Sequence, residues 1–128
     1  MASPLQITER AVGDVVIFGL SGALVFDEGT QMLRDVVKTA VAAGARACLL
    51  DLEQITYLDS GGVGTLVEMY RHVTRRGGQL KMLRPSPCAR RVLGITHLTA
   101  VFDIFDDEPE AVRNLGGPAP PRPPNSLQ

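Results

Sequence analysis

The chain has no tryptophan, only two cysteines and 5% aromatic residues, and neither sign of charge dominates, with 13 Lys and Arg against 14 Asp and Glu in 128 residues. Each scarcity excludes something. A net charge of −1 lacks the basic footprint on which binding to a phosphate backbone depends, so no nucleic-acid partner is expected. The longest apolar stretch, Val15 to Phe26, has 12 residues and is interrupted by Gly19, Ser21 and Gly22. A bilayer needs roughly 20, so no membrane span is expected. Met1 to Leu5 shows no basic segment leading into an apolar core, so no secretory signal is read there and a cytoplasmic location is expected. The two cysteines sit in unlike settings, Cys48 within Ala47-Cys-Leu-Leu50 and Cys88 just after Ser86-Pro87. Without a Cys or His cluster around them, neither a disulfide nor a metal site is expected, and no cofactor is implied.

What is present is a regular alternation of patterns. Leu5, Ile7 and Glu9 alternate with polar neighbours, Gly13-Asp14 supplies a turn, and Val15 to Phe18 reads as a second strand, together a hairpin. A short extended piece near Ala23 to Val25 follows. Asp27 is placed to cap a helix carrying Leu33, Val36, Val37, Ala40 and Val41 on one face, with Gly44 as its stop. Ala47 to Leu52 is a nearly continuous apolar run, the mark of a strand covered on both faces. A second helix opens at Asp59-Ser-Gly-Gly-Val-Gly64 and ends at Gly77-Gly78. Leu80 to Leu83 reads as a strand, Ser86-Pro87 as a cap with proline at the first helical position, Val101 to Phe105 as a strand, and Asp106 or Asp107 as the start of a last helix. The order β-β-β-α-β-α-β-α-β-α predicts an α/β fold. Its sheet is mixed and mostly parallel, with an N-terminal β-hairpin, packed against about four α-helices. From Gly116 onward five of the nine prolines accumulate with little to bury. The chain is therefore expected to divide into a folded domain, 1–115, and a Pro-rich disordered tail, 116–128.

One segment stands apart. In Leu58-Asp-Ser-Gly-Gly-Val-Gly64 the Ser60 hydroxyl sits where an N-cap should be, able to accept from the amides of Gly62 or Val63. Asp59 suits the positive end of the helix dipole. Three glycines in a helix start are costly, each about 0.5–1 kcal/mol against alanine, so something close must need the space. Glycines around a hydroxyl also leave it open to a partner or a kinase. The pattern resembles the Asp-Ser-Gly-Gly nucleophile motif of chymotrypsin-like proteases, but Leu58 replaces its leading glycine. Both histidines, His72 and His97, follow the serine, and the chain is too short for two β-barrels. No catalytic residue is assigned.

Taken together, Leu20-Ser-Gly22, Leu49-Leu-Asp-Leu52, Tyr57-Leu-Asp-Ser-Gly-Gly-Val-Gly64, Arg76-Gly-Gly-Gln-Leu80, Ser86 to Leu93 and Leu98 to Ile104 resemble the STAS domain of bacterial anti-sigma factor antagonists. The resemblance covers residues 5 to 115. It implies a non-enzymatic partner switch: the serine after the hallmark aspartate, here Ser60, is phosphorylated by a serine/threonine kinase that is also an anti-sigma factor. The unphosphorylated form binds that kinase and frees the sigma factor, and a PP2C-type phosphatase resets it. The implied partner-binding residues are Asp27, Asp59, Ser60, Gly61, Gly62 and Val63. Two departures stand out. Val25 and Phe26 precede the first acids, Asp27 and Glu28, where the family often has an earlier aspartate associated with nucleotide or kinase contacts. Gly61 stands where a second hydroxyl is common, so none substitutes for Ser60. The alternatives are a scaffold or regulatory subunit of a stressosome-like or lipid-transport complex, or a nucleotide-binding module.

Charge is unevenly spread. Arg71, Arg75, Arg76, Lys81, Arg84, Arg90 and Arg91 fall in a stretch without an acid, and Asp103, Asp106, Asp107, Glu108 and Glu110 follow it. The basic stretch reads either as a docking face or as solvated faces of several elements.

Overall fold

Gly13 and Asp14 close the opening hairpin, with Gly13 at φ +60° and Val12 opposite Val15. A positive φ at the first turn position matches the twist of the flanking strands and suits glycine. The computed structural model describes residues 3–116, and residues 117–128 of the proline-rich tail lie outside the described residues. The elements run β1 (Gln6–Val12), β2 (Val15–Leu24), α1 (Glu28–Ala42), β3 (Ala47–Leu58), α2 (Ser60–Arg75), β4 (Gln79–Leu83), α3 (Pro87–Ile95), a 3-10 turn (Leu98–Ala100), β5 (Ile104–Phe105) and α4 (Glu108–Gly116). The sheet order is β1-β2-β3-β4-β5, antiparallel at β1-β2 and parallel at every other pair. The α/β architecture with a mixed, mostly parallel sheet and four helices is the expected one.

Strand alternation divides the core. Phe18, Leu20, Cys48, Leu50, Leu52, Leu80 and Met82 point to the face covered by α1, α2 and α3, where they meet Leu33, Val37, Leu66, Met69, Val73 and Leu93. Val15, Ile17, Ala47, Leu49 and Leu83 point the other way, to Ala111 and Leu115 of α4. Two strands buried on both faces explain the long apolar runs. Cys48 is fully buried, and that burial, with the Glu9 charge adding to it, pushes its thiol up to about 11.

Three expectations change. The piece near Ala23 is the end of β2 rather than a third strand, since register shifts at Gly19/Ser21 and Gly22/Ala23 let the strand continue. There are therefore five strands among the described residues, not six. β3 runs on through Glu53 and Gln54 to Leu58. Only Ile104 and Phe105 of the last predicted strand pair, because the chain first makes the 3-10 turn that swings Phe102 into the core, edge-on to Tyr70 at 5.4 Å between ring centroids.

Candidate functional site

β2 and β3 run parallel and end side by side, and each feeds a helix from the same edge of the sheet. The starts of α1 and α2 are consequently neighbours. Asp27 caps α1, its Oδ1 accepting from the Gly29 amide at 2.6 Å while its carbonyl accepts from the Thr30 hydroxyl at 2.8 Å. Asp59 caps α2, its Oδ1 accepting from the Gly62 amide at 2.8 Å and its carbonyl from the Val63 amide at 2.9 Å. The second oxygen of Asp59 accepts from the Phe26 amide at 3.3 Å. One carboxylate thus ties the loop before α1 to the first turn of α2.

This corrects the expected cap. Ser60 is the first helical residue and Asp59 is the N-cap, with extended backbone at φ −104°, ψ −177°. Both residue types cap helices well, and a shift of one residue is invisible to pattern alone. The consequence is chemical. The Ser60 side chain is exposed and makes no hydrogen bond among the described residues, so its hydroxyl is free at the positive end of a helix.

The glycines divide as well. A Cβ on Gly61 would overlap the Phe26 side chain, and one on Gly62 would overlap the Leu24 carbonyl. Those two residues permit the close approach of the β2–α1 loop. Gly64 faces open space and is not needed for packing, contrary to the expectation that all three were. Of the residues predicted to meet a partner, Asp27 and Ser60 are exposed and Asp59 and Gly61 half-buried, whereas Gly62 and Val63 are buried and support the surface from beneath. Phe26, at 76% exposure, and Tyr57, at 54%, are large side chains left open beside this segment. The signal for Phe26 was its position at the end of an apolar run, immediately before the cap of α1.

His72 does not serve Ser60 as a base. His72 lies twelve residues further along the same helix, about 18 Å at 1.5 Å per residue. Burial, with Arg76 and Lys38 next in effect, holds its imidazole below the usual range. No three His, Cys, Asp or Glu side chains among the described residues are grouped to hold a metal ion, and no described helix is long and apolar enough to cross a membrane.

The basic stretch separates into two parts. Lys81 pairs with Asp103 at 2.9 Å, Arg84 with Asp51 at 3.0 Å, and Arg90 with Asp106 at 2.8 Å. Arg84 also joins Glu53 and Glu108, and Glu108 receives Arg10, so a charge network fastens α4 to β1, β3 and the residue that follows β4. Arg71, Arg75, Arg76 and Arg91 have no carboxylate within 4.0 Å among the described residues.

Two adjacent helix starts on a five-stranded mixed sheet, with an unbonded serine exposed between them, define a small α/β domain that presents a surface around one hydroxyl. The chain belongs to the STAS domain family, whose model matches residues 6–111. It is 30% identical over 115 residues to the anti-sigma F factor antagonist of Paenibacillus polymyxa, covering 87% of this chain and 95% of that one. Its fold matches the anti-sigma factor antagonist SpoIIAA in its unphosphorylated form with a TM-score of 0.71 at 25% identity, over 86% of this chain and 94% of that one. It matches the phosphorylated form of the Bacillus SpoIIAA with a TM-score of 0.66 at 25% identity, over 86% of this chain and 97% of that one.

Proposed function

We propose that this chain is an anti-sigma factor antagonist switched at Ser60. Unphosphorylated, it docks on an anti-sigma factor that is also a serine/threonine kinase, and the sigma factor is released. Phosphorylation of Ser60 by that kinase ends the docking, and a PP2C-type phosphatase restores it. The chain acts in the cytoplasm as a binding domain without catalysis of its own, and its docking face comprises Asp27, Asp59, Ser60 and Gly61, supported by Gly62 and Val63.

The observation that carries this reading is that Asp59, not Ser60, caps α2. A phosphate can therefore be added without removing a bond that the fold uses. The helix N-terminus accommodates an anion, so the charge of about −1.5 to −2 leaves the domain folded. A partner surface matched to a neutral hydroxyl does not accommodate it. An unpaired charge buried in an interface costs several kcal/mol, and about 3 kcal/mol weakens a micromolar complex more than a hundredfold. A relative solved in both unphosphorylated and phosphorylated forms supports the same chemistry at this fold.

The test is to incubate the chain with anti-sigma factor kinases of its own genome and ATP, locate the phosphate by mass spectrometry, and compare complexes of Ser60→Ala and Ser60→Asp. Ser60→Ala should bind and resist phosphorylation, and Ser60→Asp should not bind. Equal binding by both variants would sink the switch.

A further inference from the structure

Ser60 is one end of a longer exposed face. Along α2 the positions that follow it at helical spacing are Gly64, then Glu68, Arg71 and Arg75. With Lys38 of α1 and Arg76, these residues line an open groove of about 350 Å³ on the outer side of the α1–α2 pair. Its end nearest Ser60 is unobstructed, since nothing lies within 4 Å of where a Gly64 Cβ would be. One helical turn, about 6 Å, separates Gly64 from Ser60.

The charge in this groove is predominantly positive, and three of its cations, Arg71, Arg75 and Arg76, have no carboxylate within 4.0 Å among the described residues. Lys38, Arg71, Arg75 and Arg76 face a single carboxylate, Glu68, which is already held by Arg34 at 2.9 Å and Lys38 at 3.9 Å. Lys81, Arg84 and Arg90 differ from these, because each pairs with an acid of the same chain, while Arg91 stands unpaired outside the groove. His72, between these cations, is held neutral-leaning by burial and by Arg76 and Lys38. The groove offers no Phe, Tyr or Trp ring for base stacking, His72 being its one aromatic side chain, and the chain as a whole carries −1, so the field is local rather than the broad footprint of a nucleic-acid binder.

We propose that this groove receives an acidic segment of the protein that docks at Ser60, giving the docking face a second anchor, one made of charge and sensitive to salt. The proposal rests on the reading of Ser60 as part of a docking face and adds the chemistry of the partner to it. The groove selects a partner with carboxylates beside the serine, and those carboxylates are of the same sign as a phosphate placed there.

The probe is a fluorescein-labelled peptide of about ten glutamates, titrated with the full chain by anisotropy. Saturable binding at about 50 mM salt is expected, weakening roughly tenfold by about 200 mM. Arg71→Glu combined with Arg75→Glu should weaken it at least about tenfold at the lower salt, as expected for reversing two contacts. Arg91→Glu, on α3 and outside the groove, should change it less than about twofold at that ionic strength. Both substituted arginines are exposed, so unchanged thermal melts will establish that the double variant folds. Absence of binding at low salt, an equal loss in Arg91→Glu, or tighter binding of a labelled DNA duplex than of the peptide would each overturn the proposal. Phosphorylation does not enter these readouts. A chain that binds the peptide but gains no phosphate at Ser60 loses the switch and keeps the groove. A chain phosphorylated at Ser60 that ignores the peptide loses the groove and keeps the switch.

Discussion

The Asp59 carboxylate holds the Phe26 backbone against the start of α2, with Oδ2 accepting from the Phe26 amide at 3.3 Å while Oδ1 accepts from Gly62 at 2.8 Å. Gly61 lies beneath the Phe26 side chain in the same contact. The loop before one helix and the first turn of the next are therefore a single assembly, and Ser60 stands on it without contributing a bond.

That division of labour predicts unequal costs. Asp59→Ala should destabilise the domain by about 1–2 kcal/mol through loss of the cap, and Asp59→Asn by less, since asparagine caps comparably. Ser60→Ala should fall within about 0.5 kcal/mol of the parent. Urea unfolding of the three variants checks this. If Ser60→Ala costs as much as Asp59→Ala, the cap has been assigned to the wrong residue.

The glycines should respond in opposite directions. Gly62→Ala drives a Cβ into the Leu24 carbonyl and should cost about 1–3 kcal/mol, as overpacking does. Gly64→Ala meets nothing and should stabilise the helix by about 0.5–1 kcal/mol. Thermal melts will separate them, Tm falling for one and rising for the other. A fall in both would show that Gly64 is required by something other than space.

Glu108 should make the docking of α4 sensitive to acid. The hydrogen bond from Arg10, then the charges of Arg10 and Arg84, hold its carboxyl below the ordinary range against the opposing effect of burial. The folded chain binds fewer protons there than the unfolded chain, so this contribution to stability is complete above the unfolded value of about 4.3 and drains away as pH falls through the lower folded value. Urea midpoints of the parent and Glu108→Gln should differ at neutral pH and converge as the acid limb is descended. A difference that stays unchanged down the whole acid limb would contradict the assignment.

The two thiols should differ in accessibility. Cys48 is fully buried and its thiol is raised to about 11, while Cys88 is half-buried in the first turn of α3. A disulfide reagent applied to the native chain at mildly alkaline pH should modify Cys88 first, with Cys48 reacting only on unfolding. Simultaneous modification of both in the native chain would contradict the buried position of Cys48.

Much of the fold was legible because local chemistry and tertiary structure agree. Ser86-Pro87 starts α3 as capping rules demand, and Gly13-Asp14 turns the hairpin. The misreadings have a common origin. Gly19, Ser21 and Gly22 look like turn residues, yet parallel pairing with β3 absorbs them as irregularities inside one strand. The strand expected over Ala47 to Leu52 runs on through Glu53 and Gln54, whose polar side chains are the exposed stretch of a longer strand. At the site, the Asp27 cap and the close packing at Gly61 and Gly62 were readable from spacing, whereas the cap read at Ser60 belongs to Asp59. The Asp59–Phe26 bond spans 33 residues of sequence, and the link of Arg10 to Glu108 spans 98, distances over which no local pattern carries information. The unequal pairing of the basic stretch is of the same kind, since only the fold brings Asp103 and Asp106 to Lys81 and Arg90 while leaving Arg71 and Arg75 alone.

The unbonded hydroxyl of Ser60 also bears on time. Under the switch proposed for Ser60, a phosphate on a side chain that holds nothing in place would ask for no refolding, so the domain would be ready for its partner, or closed to it, the moment the phosphate comes or goes. Any delay in the proposed response would then belong to the kinase and phosphatase acting on Ser60 and to the lifetime of the complex. The domain itself contributes no clock.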